Sequence, residues 1–163
     1  ANGNSLAAYS LRYGKFSADG EDPQEQLVAL FPSYTWEICT MVPADSDIQT
    51  FRDLVGKRIA MGPIGSGAEA TASQTLTAMG LADDDFENVQ RSAVDQMFGA
   101  LSSGMADAVI WGTAHPTGRI SEQAATLGLR FVPFAEADME MVTQAYPYFH
   151  AGFLRDDLYE GQE

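Results

Sequence analysis

Lysine is nearly absent, present only as Lys15 and Lys57, and nine basic side chains face 23 acidic ones for a formal net charge of −14. A surface this acidic repels phosphate backbones and anionic headgroups, which argues against nucleic acid and membrane surfaces as partners. Solvation of the surface accounts for the acidity, with a salt-rich habitat as a second reading. Cysteine occurs once, at Cys39. That excludes an intrachain disulfide and a thiolate metal cluster, and the apolar neighbours Ile38, Met41 and Val42 assign it to strand packing. No run approaches the roughly 20 apolar residues of a membrane-spanning helix. No basic-then-apolar segment opens the sequence either, so Ala1 reads equally as a processed terminus or as the edge of a fragment. What is plentiful is hydrophobic side chain, 45% of the 163 residues, enough to bury the core of one ordinary domain or two small lobes.

A pattern recurs along the chain: a short apolar strand, a turn, then an amphipathic helix closed by glycine. The clearest unit runs from the strand Arg58 to Met61 through the loop Gly62-Pro63-Ile64-Gly65-Ser66-Gly67 into a helix that stops at Gly80. Ser66 and Glu69 have the spacing of a capping box, and Ala72, Leu76 and Met79 share one helical face. A second unit has a weak strand at 88–92, a helix over 93–103 carrying Val94, Met97, Phe98 and Leu101 as an apolar stripe, and a stop at Gly104. The run Ala106 to Trp111 reads as a buried strand. Pro116 then opens a helix in its first turn, Gly128 ends it, and Leu129 to Phe134 is a further strand. Strands alternating with helices predict a mostly parallel α/β sheet, with the compact lobe at 48–134. Residues 1–47 and 135–163 read as flanks: a helix at Ser5 to Tyr13, strands at 27–31 and 34–42, and a late helix holding Met139, Val142 and Tyr146.

The loop from Gly62 to Gly67 is where chemistry is most legible. Glycines between a strand and a helix N-terminus let backbone amides approach an anion, although the same residues make an ordinary capped turn. A phosphate-binding P-loop is excluded, because Ala68 and Glu69 follow Gly67 where lysine and a hydroxyl residue are required. A nucleophile elbow fails as well, since Ile64 and Ala68 stand where it needs glycines around Ser66. Glu69 would repel an anion there unless it caps the backbone and points away. His115 follows a buried strand, in the position where open α/β sheets collect ligands, yet His115 and His150 are isolated and make neither a triad nor a metal site. Asp83-Asp84-Asp85 reads as a solvated turn rather than a calcium loop.

Beyond these readings, Phe51-Arg52-Asp53-Leu54-Val55-Gly56-Lys57-Arg58-Ile59-Ala60-Met61-Gly62 followed by Gly65-Ser66-Gly67-Ala68-Glu69 resembles the second-lobe opening of the TAXI family, the solute receptors of TRAP transporters. Ala100 to Ala108, the loop Trp111-Gly112-Thr113-Ala114-His115-Pro116-Thr117, Tyr146-Pro147-Tyr148 and Tyr159-Glu160-Gly161-Gln162 resemble later family segments in order. The resemblance implies a type II periplasmic-binding-protein-like α/β fold with one complete lobe and part of the other. It implies a periplasmic or extracytoplasmic location, no enzymatic activity, no cofactor and no metal. The implied partners are a small organic-acid or amino-acid solute, such as glutamate, glutamine or 2-oxoglutarate, and the TRAP membrane permease subunits. Ligand contacts fall to Gly65, Ser66, Gly67 and Ala68 on one carboxylate, and to Trp111, Gly112, Thr113, His115 and Pro116 on the body of the solute. The family's glycine-rich opening of the first lobe does not precede Ala1, Ala68 stands where threonine is common, and Glu160 where proline is usual. The rival reading is a cytosolic effector-binding sensor domain of a transcription regulator with the same fold. A hydrolase using Ser66 with His115 is the weakest.

Overall fold

The computed structural model describes residues 26, 28, 30, 31, 34–146 and 148–160. The expected helix at Ser5 to Tyr13 lies outside them, as do Leu27 and Ala29 of the expected strand at 27–31 and Pro147. The chain divides into two compact units, Ala1–Thr35 and Trp36–Glu163. Of the first, Val28, Leu30, Phe31 and Tyr34 are exposed and sit in no strand.

The second unit is built on five strands: β1 (Glu37–Pro43), β2 (Arg58–Met61), β3 (Asn88–Arg91), β4 (Ala108–Thr113) and β5 (Leu129–Val132), in the order β3-β2-β4-β1-β5. β2 pairs in parallel with both β3 and β4. β1 is antiparallel to both of its neighbours, β4 and β5, so four strands run one way and one is inserted against them. Among the described residues, four α-helices cover the sheet: α1 (Gly67–Ala78), α2 (Val94–Ser102), α3 (Gly118–Leu127) and α4 (Glu136–Ala145). β1 and α4, which lie outside 48–134, share the sheet and the core with the elements between them.

Alternation along the central strands explains why both faces are covered. Ile38 and Val42 of β1, Ile59 and Met61 of β2, and Ala108 and Ile110 of β4 face a core shared with Ala72 and Leu76 of α1 and Val142 of α4. Cys39 and Met41, Ala60, and Val109 with Trp111 point the other way, onto Met97, Phe98 and Leu101 of α2 and Ile120 and Ala124 of α3. The larger of these, Val, Leu, Ile, Met and Phe, each contribute roughly 1.5–3 kcal/mol when fully buried. The predicted apolar stripe of α2 is therefore the reason that helix sits where it does.

α1 holds two threonines in its buried face, Thr71 and Thr75. Their hydroxyls bond back to Gly67 O (2.7 Å) and Thr71 O (2.9 Å), so neither is buried without a partner. The predicted helix stops hold, with Gly80, Gly104 and Gly128 at φ of 75°, 71° and 68°. The predicted start of α3 fails: the helix begins at Gly118 with Thr117 as its N-cap. Pro116 precedes the helix, joined to His115 by a cis peptide, instead of occupying its first turn.

Candidate functional site

The connections after β2 and β4 leave the sheet toward opposite faces. β2 runs into α1, which packs on the first core and leads to β3; β4 runs into α3, which packs on the second core and leads to β5. Adjacent parallel strands whose loops diverge in this way leave a crevice beyond their carboxyl ends. By that rule the loops 62–66 and 114–117 would flank such a crevice, and the start of β1 lies beside the second of them, because Glu37 pairs with Thr113 and Ile38 with Gly112.

The first loop is built tightly. Ser66 N donates to Pro63 O (3.0 Å), closing a four-residue turn in which Gly65 takes φ +79°, a conformation that L side chains resist. Ser66 then caps α1 by accepting the Glu69 amide at 3.1 Å. A Cβ on Gly62 would stand 2.8 Å from Ala68 Cβ and 2.9 Å from both Glu69 N and Ser66 Oγ, so this glycine lets the cap close against the strand end. The capping serine keeps its own proton to donate. The amides of Gly67 and Ala68 have no acceptor among the described residues, as the first turn of a helix requires. Gly65, Ser66, Gly67 and Ala68 thus form one cradle of N–H and O–H donors at the positive end of α1.

Glu69 does not cap the backbone, contrary to the capping-box expectation. Its carboxylate accepts from Ser73 Oγ (2.9 Å) and pairs with Arg91 Nε (3.4 Å) at the end of β3, while Arg91 Nη2 reaches Asp83 Oδ1 at 2.8 Å. The repulsion foreseen between Glu69 and an anion is offset by this guanidinium. Arg91 was invisible as a site residue in the sequence, since its partner lies 22 positions away.

The second loop divides its residues between the two faces. Trp111 turns to the second core and meets Phe98 edge-on, ring centroids 5.8 Å apart. Gly112 lies on the α1 side, and the indole of Trp36 rests over it, Nε1 3.5 Å from the position a Cβ would take. Trp36 was not among the sequence candidates. Pro116 is exposed and Thr113 half-buried. His115 is half-buried with both ring nitrogens engaged: Nδ1 lies 2.7 Å from the Tyr159 hydroxyl and Nε2 3.4 Å from Cys39 Sγ. Burial pulls the His115 pKa down, against a smaller upward push from Glu37. Burial, then Glu37, pushes the Cys39 thiol up to about 12. Since Ser66 is bonded to Glu69 and His115 to Tyr159 and Cys39, no serine–histidine couple forms, and the pair expected of a hydrolase is missing among the described residues. Nor do these hold any group of three or more His, Cys, Asp or Glu side chains placed for a metal ion. None of their helices is long and apolar enough to cross a membrane.

Compared with known protein families, residues 1–163 match from end to end. The chain belongs to the NMT1-like family. Solved structures similar to this NMT1-like chain include the periplasmic aliphatic sulphonate binding protein SsuA of Escherichia coli, with 23% identity and a TM-score of 0.46 over 61% of this chain and 32% of that one. SsuA of Xanthomonas axonopodis pv. citri, bound to MOPS, is 22% identical with a TM-score of 0.47 over 66% and 44% of the two chains. A mutant of ArgBP from T. maritima is 21% identical with a TM-score of 0.46 over 86% and 65%. The chain spans less than two thirds of the length of each of these proteins. The chain's own architecture is mixed α/β, a five-stranded sheet with helices packed on both faces.

Proposed function

We propose that this lobe is part of an extracytoplasmic solute-binding receptor, and that its crevice holds one carboxylate of a small organic acid or amino acid. The observation that carries the reading is the donor cradle at α1. Two backbone amides without acceptors among the described residues, one hydroxyl with a proton to give and a helix dipole converge beyond the end of β2, at the sheet's switch point. Such a cradle suits an anion, and Ser66 has no histidine partner among the described residues, which supports reading the protein as a binder. Glycine at 112 and the Trp36 indole would form the neighbouring floor for the body of the solute. The sequence resemblance to TAXI receptors supports the finer assignment: the solute is glutamate, glutamine or 2-oxoglutarate in type, and the receptor delivers it to the permease of a TRAP transporter. In this reading residues 1–47 and 135–163 carry the chain to and from the first lobe, while β1 and α4 within them pack into the second. Closure on the solute favours the bound state only to the extent that both lobes touch it.

Calorimetry and thermal unfolding with L-glutamate, L-glutamine and 2-oxoglutarate test this directly. Saturable binding is expected, with stabilisation of about 2.7 kcal/mol at a hundredfold excess over Kd. Failure of every carboxylate and amino acid tried to bind or to raise the melting temperature would overturn it.

A further inference from the structure

The final described segment, residues 148–160, contains no helix or strand, yet Leu154, Leu158 and Tyr159 pack into the second core. Tyr159 is only 6% exposed, its ring 5.6 Å from that of Phe131 and 5.7 Å from that of His115. A phenol buried among such neighbours needs partners for its hydroxyl. Both partners lie in the loop after β4. The oxygen accepts the amide of Thr117, the N-cap of α3, at 3.0 Å, and it sits 2.7 Å from His115 Nδ1. The opposite ring nitrogen of His115 reaches Cys39 in β1. A chain of contacts therefore ties the inserted strand β1, the loop after β4 and the carboxyl-terminal segment together. Removing the Tyr159 oxygen would leave the apolar packing of its ring in place. The groups it deprives of a partner both belong to the loop, so the consequence falls on the loop's path and not on the core.

We propose that Tyr159 is a positioning residue for the solute loop, fixing residues 113–117 so that affinity depends on a side chain buried beneath the site. This rests on the receptor reading above, since it assumes that the loop meets the solute. The test compares Tyr159→Phe with Val142→Ala, a truncation in α4 on the opposite face of the sheet. Two quantities are measured in the intact protein: Kd for L-glutamate and 2-oxoglutarate, and amide hydrogen exchange resolved residue by residue. Tyr159→Phe is expected to weaken binding roughly tenfold, the equivalent of one or two lost hydrogen bonds, and to speed exchange at Thr117 while Val109 and Ile110 keep their protection. Val142→Ala is expected to lower the melting temperature with Kd unchanged. Equal Kd values for Tyr159→Phe and the unaltered protein would overturn the proposal and leave the receptor reading standing. If neither probe binds the unaltered protein, the receptor reading fails instead. Exchange at Thr117 then decides whether Tyr159 positions the loop: selective acceleration upholds it, and no change overturns it.

Discussion

Replacing Gly62 by alanine should damage the cradle more than any other single methyl group. The added Cβ would meet Ala68 Cβ at 2.8 Å and Glu69 N and Ser66 Oγ at 2.9 Å. None of these is the free end of a flexible side chain: one is helix backbone, one is the capping oxygen, one is a Cβ fixed by α1. Relief requires α1 to move away from the end of β2 or the cap to open. Losing the cap costs about 1 kcal/mol, and overpacking a tight contact costs about 1–3 kcal/mol, so Gly62→Ala should destabilise by about 2–4 kcal/mol. Two variants separate the causes. Gly65→Ala has open space around its new Cβ but φ +79°, and should cost about 1–2 kcal/mol through backbone strain alone. Ser66→Ala should cost about 1 kcal/mol through the cap alone. Urea unfolding at constant m reads all three. A Gly62→Ala unfolding free energy within about 0.5 kcal/mol of the unaltered protein's, or a loss smaller than that of Ser66→Ala, would refute this reasoning.

Three further outcomes follow from buried groups. The Thr40 hydroxyl is fully buried without a hydrogen-bond partner among the described residues, so Thr40→Val should stabilise by about 1 kcal/mol; a lower melting temperature would show that the hydroxyl is satisfied after all. Cys39, with its pKa pushed to about 12, should be about one part in ten thousand thiolate at pH 8. Thiol reagents should label it only on unfolding, and rapid labelling of the native protein would contradict the packing described. Burial lowers the His115 pKa below 6.5, outweighing Glu37, so the unfolded chain takes up this proton first as pH falls. Stability at this site should be full above pH 6.5, drop as pH falls below it, and level off once the folded pKa is passed. Urea midpoints for the unaltered protein and His115→Gln, taken across this range, should therefore converge with acid; a constant difference would count against it.

Much of the lobe was legible in the sequence because its helices carry local signals. Ser66 as a cap, Gly80 as a stop and the 3.6-residue stripe of α2 each depend on neighbours a few positions away. β1 was readable as a strand but not as an inserted antiparallel one: its run from Ile38 to Val42 is apolar on both faces, and such a run does not reveal its partners. Pro116 misled because proline suits a first helical turn as well as the residue before a cap. The cradle itself could be read from the spacing of glycines and serine. Arg91 facing Glu69, Trp36 over Gly112 and Tyr159 under His115 could not, since each pairing is made by the sheet order across 22 to 76 residues.

The claim that the α1 cradle holds the solute carboxylate is tested most directly by following the backbone amides of Gly67 and Ala68 by NMR while L-glutamate is added. The account predicts that both amide protons move downfield together and saturate with the calorimetric Kd, and that Ser66→Ala weakens the same transition. If binding saturates while Gly67 and Ala68 stay still, the carboxylate is held elsewhere and the account is wrong.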